Sequence, residues 1–320
     1  MKPFAFVFPG QGSQSVGMLD AWGDDPIVVA TLAEASEALH EDLGALIRHG
    51  PKEALALTTN TQPVMLVAAV ATYRVWIART GWTPSVVAGH SLGEYSALVA
   101  ADVLPLAQAA LLVRLRARAM QDAVPVGTGA MAAVLGLEAQ KVVEVCAEVT
   151  AGFGAGSGEL VQAANFNEPA QTVIAGTKAA VERACEALKA SGARRALALP
   201  VSAPFHSALM RPAAEKLRDA LAAVDLKPPA IALVNNVDVA AEVDAQRIRD
   251  ALYRQAFGPV RWVECVQAIK ARGLTHVVEC GPGKVLAGMV SRIDPAMTGM
   301  ALLDPSSLVS VQAALQGSAA

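Results

Sequence analysis

Three observations predict an α/β protein. A strand, a tight turn and a helix are centred on Gly89–Gly93. A β-α-β-β-α-β succession runs through the middle of the chain. The composition is 53% apolar against 17% charged, the balance of a large buried core. The expected architecture is a large α/β-hydrolase-like domain with a parallel sheet core, built from residues 1–127 and 199–320, with an inserted ferredoxin-like (βαββαβ) subdomain at 128–198. A chain of 320 residues accommodates both.

In order, Phe4–Phe8 is an unbroken apolar run and reads as a buried strand, ending in the glycine-rich turn Pro9-Gly10-Gln11-Gly12-Ser13-Gln14. Helical period covers Ile27–Leu39, Gly50–Leu57 is a connector with a short helix, and Gln62–Arg79 is a long core helix. The β-branched run Ser85–Ala88 leads through Gly-His-Ser-Leu-Gly into a helix over Glu94–Ala101. Asp102–Pro105 turns the chain into a further helix, Leu106–Val124, stopped by Pro125 and Gly127.

The inserted unit follows. Strands are expected at Ala130–Leu135, Val161–Asn167, Thr172–Ala175 and Arg195–Leu199, with helices at Glu138–Val149 and Lys178–Ser191 and a Gly-rich loop at Gly152–Gly158. After Pro200 come a helix over Met210–Val224, a strand over Ile231–Asn235, and helices over Ala245–Ala256 and Trp262–Arg272. A strand over Thr275–Cys280 turns through Gly281-Pro282-Gly283 into the helix Lys284–Ile293. Beyond Asp304 there is one helix and a frayed Ser-Ala-Ala end.

Several function classes are excluded. No stretch reaches about 18 consecutive apolar residues, so no membrane span is expected, and the N-terminal run is too short for a signal peptide. The expectation is a soluble, cytoplasmic protein and a monomer. The formal charge of −3 carries no basic excess for nucleic acid. The four cysteines are scattered without C-x-x-C spacing, so buried free thiols are expected and no metal site.

The strand–turn–helix setting makes Ser91 a candidate nucleophile, lifted at the carboxyl end of its strand. A serine hydroxyl needs a base, a contribution of roughly 10²–10⁴ in rate. Among five histidines, His40 and His49 lie in a polar stretch, His276 precedes a strand, and His90 adjoins the serine but leaves the turn in another direction. His206 lies in Ser202-Ala203-Pro204-Phe205-His206-Ser207, a loop following a strand, where a doubly wound fold places its site. On spacing alone it reads more simply as a structural histidine. Glu138, Glu144, Glu148, Glu182 and Glu186 fall on helices of the insertion, and none has the loop setting of a triad acid.

Arg116 is the sharper clue. At about 100° per residue it shares a helix face with Ala109, Leu112, Val113, Ala119 and Met120, while Arg114 and Arg118 point the other way as solvated charges. An inward guanidinium needs an anion, either an internal carboxylate or a substrate carboxylate held bidentately. Gln11 and Leu92 are candidate backbone N–H donors to an oxyanion hole, each donor worth roughly 3–4 kcal/mol. Viewed alone, Pro9–Gln14 reads more simply as a bare turn without dinucleotide spacing, and Gly281-Pro282-Gly283-Lys284 lacks P-loop spacing.

With these residues in place the chain resembles the malonyl-CoA:acyl-carrier-protein transacylases of bacterial fatty-acid synthesis over nearly its whole length. The matching segments fall in the family's order: Phe8–Gln14, Gly89–Tyr95, Arg116 with Met120-Gln121, Asn165-Phe166-Asn167, Pro204–Ser207, Asn235-Asn236-Val237, Arg254-Gln255 leading to Pro259-Val260, and Gly281–Gly283. The resemblance implies Ser91 as nucleophile, His206 as its base, Arg116 as clamp on the malonyl carboxylate, and the N–H groups of Gln11 and Leu92 as oxyanion hole. It implies that a main-chain carbonyl, at Gln255, orients the histidine, and it places Asn165 and Asn167 near the cleft. Leu92 and Phe205 resemble the malonyl-selective pattern of related polyketide acyltransferases, although many stand-alone transacylases carry a smaller residue than Phe205. The implied reaction is ping-pong transfer of malonyl from malonyl-CoA to the phosphopantetheine thiol of acyl carrier protein, both as substrates, with no cofactor. Alternatives within this reading are the acyltransferase subunit of a malonate decarboxylase, a polyketide-type trans-acyltransferase and, more remotely, a serine esterase or thioesterase.

Overall fold

The computed structural model describes residues 1–201 and 203–317. Nine strands run through the described residues: β1 (Phe4–Phe8), β2 (Val86–Gly89), β3 (Gly129–Leu135), β4 (Val161–Glu168), β5 (Gln171–Thr177), β6 (Arg195–Ala198), β7 (Ala232–Val234), β8 (His276–Cys280) and β9 (Thr298–Leu302). Five form a parallel sheet in the order β7-β2-β1-β8-β9. The other four form a separate antiparallel sheet in the order β4-β5-β3-β6.

β1 lies inside the parallel sheet and all five of its residues are buried. Phe4, Phe6 and Phe8 meet Tyr73 and Trp76 of the helix Thr58–Thr80 edge-on. Ala5 and Val7 belong to a second core with Trp262, Val266 and Val277. A strand covered on both faces needs an unbroken apolar run, which is why this one was legible. The small sheet has its own core, in which Val142, Val145, Val181 and Leu188 of the helices Ala139–Ala151 and Lys178–Ala190 pack on Ile174. Glu138, Glu144, Glu148, Glu182 and Glu186 are all exposed there.

Three expectations need correction. The long helix begins at Thr58, one turn before Gln62, and this extra turn accounts for Arg114. Pro63 lacks the N–H that would bond the Thr59 carbonyl. Arg114 donates to that carbonyl instead, and to Asn60 Oδ1, while pairing with Glu41. Arg114 is therefore buried, 6% exposed, rather than solvated like Arg118. The helix Leu106–Gln121 stops short of Val124, since a proline disfavours helical backbone in the residue before it.

The helix Leu43–His49, capped by Asp42, and the strand β9 were not anticipated. β9 has little β-branched content and exists through its pairing with β8, from His276–Thr298 to Cys280–Leu302. The tail helix Pro305–Gln316 starts with a capping box of Asp304 and Ser307. The frayed end expected at Ser318-Ala319-Ala320 and the residue Ser202 lie outside the described residues.

All four cysteines are free, Cys146, Cys265 and Cys280 buried and Cys185 half-buried. Among the described residues no helix is long and apolar enough to cross a membrane. The Gly152–Gly158 loop is largely exposed and joins the helix Ala139–Ala151 to β4. Beyond the loop, β4 reaches the segment before Trp262, where Phe166 N donates to Val260 O and Val260 N to Ala164 O, both 2.9 Å. That junction carries Asn165 and Asn167 to the ends of β1 and β2, where the cleft opens.

Candidate active site

β2 ends at Gly89 and the next helix is Gly93–Ala100. Ser91 at the apex has φ 52°, a left-handed conformation that costs a non-glycine residue energy and persists only when its surroundings hold it. Two glycines make room for this turn. A Cβ on Gly89 would lie 1.9 Å from the Gly93 carbonyl carbon, and one on Gly93 would lie 2.0 Å from Phe8 O. Asn236 straps the turn from outside, its Oδ1 accepting from Ser91 N at 2.8 Å and its Nδ2 donating to Gly89 O at 2.7 Å.

His206, also left-handed at φ 61°, places Nε2 2.6 Å from Ser91 Oγ. Its Nδ1 lies 2.9 Å from Gln255 O and 3.2 Å from Gly258 O. Carbonyls only accept, so Nδ1 carries the proton and the Nε2 lone pair faces the serine hydroxyl. Burial, and then the neighbouring Arg116 charge, push His206 down to about 3, so the ring is neutral.

Arg116 is 2% exposed. Nη1 donates to Gln62 Oε1 at 2.6 Å, and Nη2 to Ser91 Oγ and Gln255 Oε1, both at 3.1 Å. The Tyr95 ring centroid is 5.6 Å from Cζ, and Nε has no partner among the described residues. Every one of these partners is neutral. Burial lowers its pKa, yet a guanidinium stays charged in a protein. The result is a buried cation beside the nucleophile whose direct partners are all neutral. The buried Glu94 carboxyl acts on it from beyond the Gln255 amide, and the guanidinium keeps room for a directly bound anion at its unpartnered Nε.

These groups line a cleft of about 200 Å³ between the two sheets. Gln11 and Leu92 flank Ser91 on its wall, and Phe205, Met120 and Met131 supply apolar surface. Gln11 is anchored by its Oε1, which accepts from Thr58 Oγ1 at 2.8 Å. Asn165 and Asn167 both line the cleft, and Asn167 Oδ1 lies 2.8 Å from His90 Nε2. His90 packs edge-on to Trp262 at 5.5 Å. His40 and His49 are exposed, and His276 opens β8.

Three further groups complete the site and no sequence motif gives them a role: the side chains of Gln62 and Gln255, and Glu94. Glu94 is 2% exposed and accepts from Asn236 N at 2.9 Å and Gln255 Nε2 at 3.0 Å. Burial pushes its carboxyl up to about 7, against the opposing pull of those donors and Arg116. Gln62 follows the polar run Thr58-Thr59-Asn60-Thr61, and Glu94 stands in the first turn of its helix. Neither interrupts an apolar face as Arg116 does, so their burial is not visible in the sequence.

The acyl transferase domain family matches residues 5–295. A malonyl CoA-acyl carrier protein transacylase of Escherichia coli is 53% identical over 309 residues, covering 96% of this chain and 98% of that one. The crystal structure of an acyl-carrier-protein S-malonyltransferase from Burkholderia pseudomallei superposes with a TM-score of 0.93 at 60% identity, over 97% of this chain and all (100%) of that one. A malonyl-transacylase solved in complex with a type II polyketide acyl-carrier protein gives 0.93 at 49% identity, over 97% and 98% of the two chains. The chain belongs to the acyl transferase domain family, among its malonyl CoA-acyl carrier protein transacylases.

Proposed function

We propose that the protein transfers the malonyl group of malonyl-CoA to the phosphopantetheine thiol of acyl carrier protein through a malonyl-serine intermediate. The observation that carries this reading is the buried Arg116, 3.1 Å from Ser91 Oγ and surrounded by neutral acceptors. It provides for an acyl group with its own carboxylate, and the names of the relatives agree.

Ser91 Oγ attacks the thioester carbonyl carbon as its proton passes to His206 Nε2. The oxyanion of the tetrahedral intermediate is held by the N–H groups of Gln11 and Leu92. The C–S bond then breaks, the coenzyme A sulfur takes the proton from His206, and malonyl remains on Ser91. In the second half the carrier's thiol gives its proton to His206 and attacks the acyl carbon, and Ser91 Oγ leaves with that proton. The carbonyls of Gln255 and Gly258 keep His206 in the tautomer both halves require, the task a carboxylate performs in a Ser-His-Asp triad. The substrates carry every group this chemistry transfers, and no cofactor takes part.

Arg116 links specificity to the base. In the free enzyme burial and, after it, the Arg116 charge depress His206. A malonyl carboxylate bound on the guanidinium offsets that charge, so the imidazole becomes a better base when the right acyl group is present; an acetyl group brings no such offset. Phe205 and Leu92 crowd the acyl α-carbon, and rejecting one methyl branch is worth about 1–3 kcal/mol.

The small unit, residues 128–198, is read here as a ferredoxin-like insertion, supported by its strand order, its antiparallel pairing and its own core. Residues 1–127 and 199–320 are read as one discontinuous, α/β-hydrolase-like catalytic domain, supported by the parallel sheet and the serine elbow at the end of β2.

Malonyl-CoA and phosphopantetheinylated carrier, mixed with the protein, should yield coenzyme A and malonyl-carrier in equal amounts. Arg116→Ala should lower malonyl transfer on the order of 10²–10³-fold, with acetyl transfer falling less. Free malonate in place of malonyl-carrier would make the protein a hydrolase.

A further inference from the structure

Gln255 serves the site twice, through its carbonyl on His206 and through its side-chain amide, for which the reaction above has no task. That amide lies between the buried Arg116 guanidinium and the buried Glu94 carboxyl. Its Oε1 accepts from Arg116 Nη2 at 3.1 Å, while its Nε2 donates to Ser91 O at 2.9 Å and to Glu94 Oε2 at 3.0 Å. Only one orientation of the amide suits these partners. A guanidinium only donates, and a backbone carbonyl only accepts. Glu94 Oε2 is fixed as an acceptor by the backbone N–H of Asn236, 2.9 Å away, whichever protonation state the carboxyl holds. A flipped amide would set NH₂ against the guanidinium and oxygen against two acceptors.

We propose that Glu94 and the Gln255 side chain are positioning residues for the carboxylate clamp. Glu94 fixes the amide so that a neutral oxygen faces Arg116, keeping the guanidinium in place with its charge free for the substrate. The same amide pins the Ser91 carbonyl, so clamp and nucleophile share one anchor. Asn236 closes the loop by bonding Glu94 through its N–H and the elbow through its side chain. This assignment rests on Arg116 being the clamp for the acyl carboxylate.

Gln255→Glu tests it, because the change is nearly isosteric and puts a carboxylate where the amide oxygen meets Arg116. The measured quantity is the ratio of kcat/KM for malonyl-CoA to that for acetyl-CoA. The ratio should fall on the order of 10²-fold, mainly through the malonyl-CoA KM, because an internal anion then competes for the guanidinium. In an Arg116→Ala background the same change should move the ratio no further. Glu94→Met, which removes the acceptor, should lower the ratio, and Glu94→Gln, which keeps one, should preserve most of it. If Arg116→Ala lowers the ratio but Gln255→Glu does not, or Gln255→Glu acts equally without Arg116, the positioning role is wrong. The same holds if Glu94→Met leaves the ratio intact or Glu94→Gln lowers it as much as Glu94→Met. An unchanged ratio in Arg116→Ala alone would instead remove the clamp itself and this inference with it.

Discussion

Ser91 and His206 stand 2.6 Å apart with the proton already on the far ring nitrogen. The imidazole can therefore accept the serine proton without reorientation. What sets its strength is the environment, since burial and Arg116 both disfavour the imidazolium. His206 should accordingly remain neutral by imidazole NMR down to about pH 5, and Arg116→Ala should move its titration upward. Titration near the ordinary value of 6.5 would contradict the geometry. The same shift acts on stability. The unfolded chain takes up this proton near 6.5 and the folded one near 3, so this contribution is whole above 6.5 and declines as pH falls toward 3.

At the level of elements, the elbow depends on two close backbone approaches. Gly93→Ala would drive a methyl group into Phe8 O, at 2.0 Å, and the end of β1 would have to yield. We expect a loss of roughly 1–3 kcal/mol of stability with little coenzyme A release, measurable by thermal melting and a thiol assay. A variant with normal activity would show that the turn tolerates a wider approach. Such contacts explain what the sequence reveals and what it conceals. β1, β2 and the elbow were legible because burial on both faces and a tight turn each restrict residue choice. Arg116 was legible from helical period, but Arg114 was misjudged. Its burial depends on a carbonyl freed by Pro63 in another helix and on Glu41 in a third segment. β9 was missed for a related reason, since its pairing with β8 decides it more than its own residues do.

Across the whole molecule, the cleft draws on segments far apart in the chain. Gln11 follows β1, Ser91 follows β2, Asn165 lies on β4, and His206 and Gln255 come from the returning half. No local pattern shows that these segments meet. The order of the motifs along the chain points to them, while the side-chain network of Gln62, Glu94, Asn236 and Gln255 is visible only in the folded structure. The arrangement amounts to one acyl-serine station placed between two thiol partners. Intact mass spectrometry with malonyl-CoA and no carrier tests this most directly. One malonyl group should appear on Ser91, be absent from Ser91→Ala, and leave when phosphopantetheinylated carrier is added. Steady coenzyme A release with no adduct, or an adduct the carrier cannot remove, would contradict it.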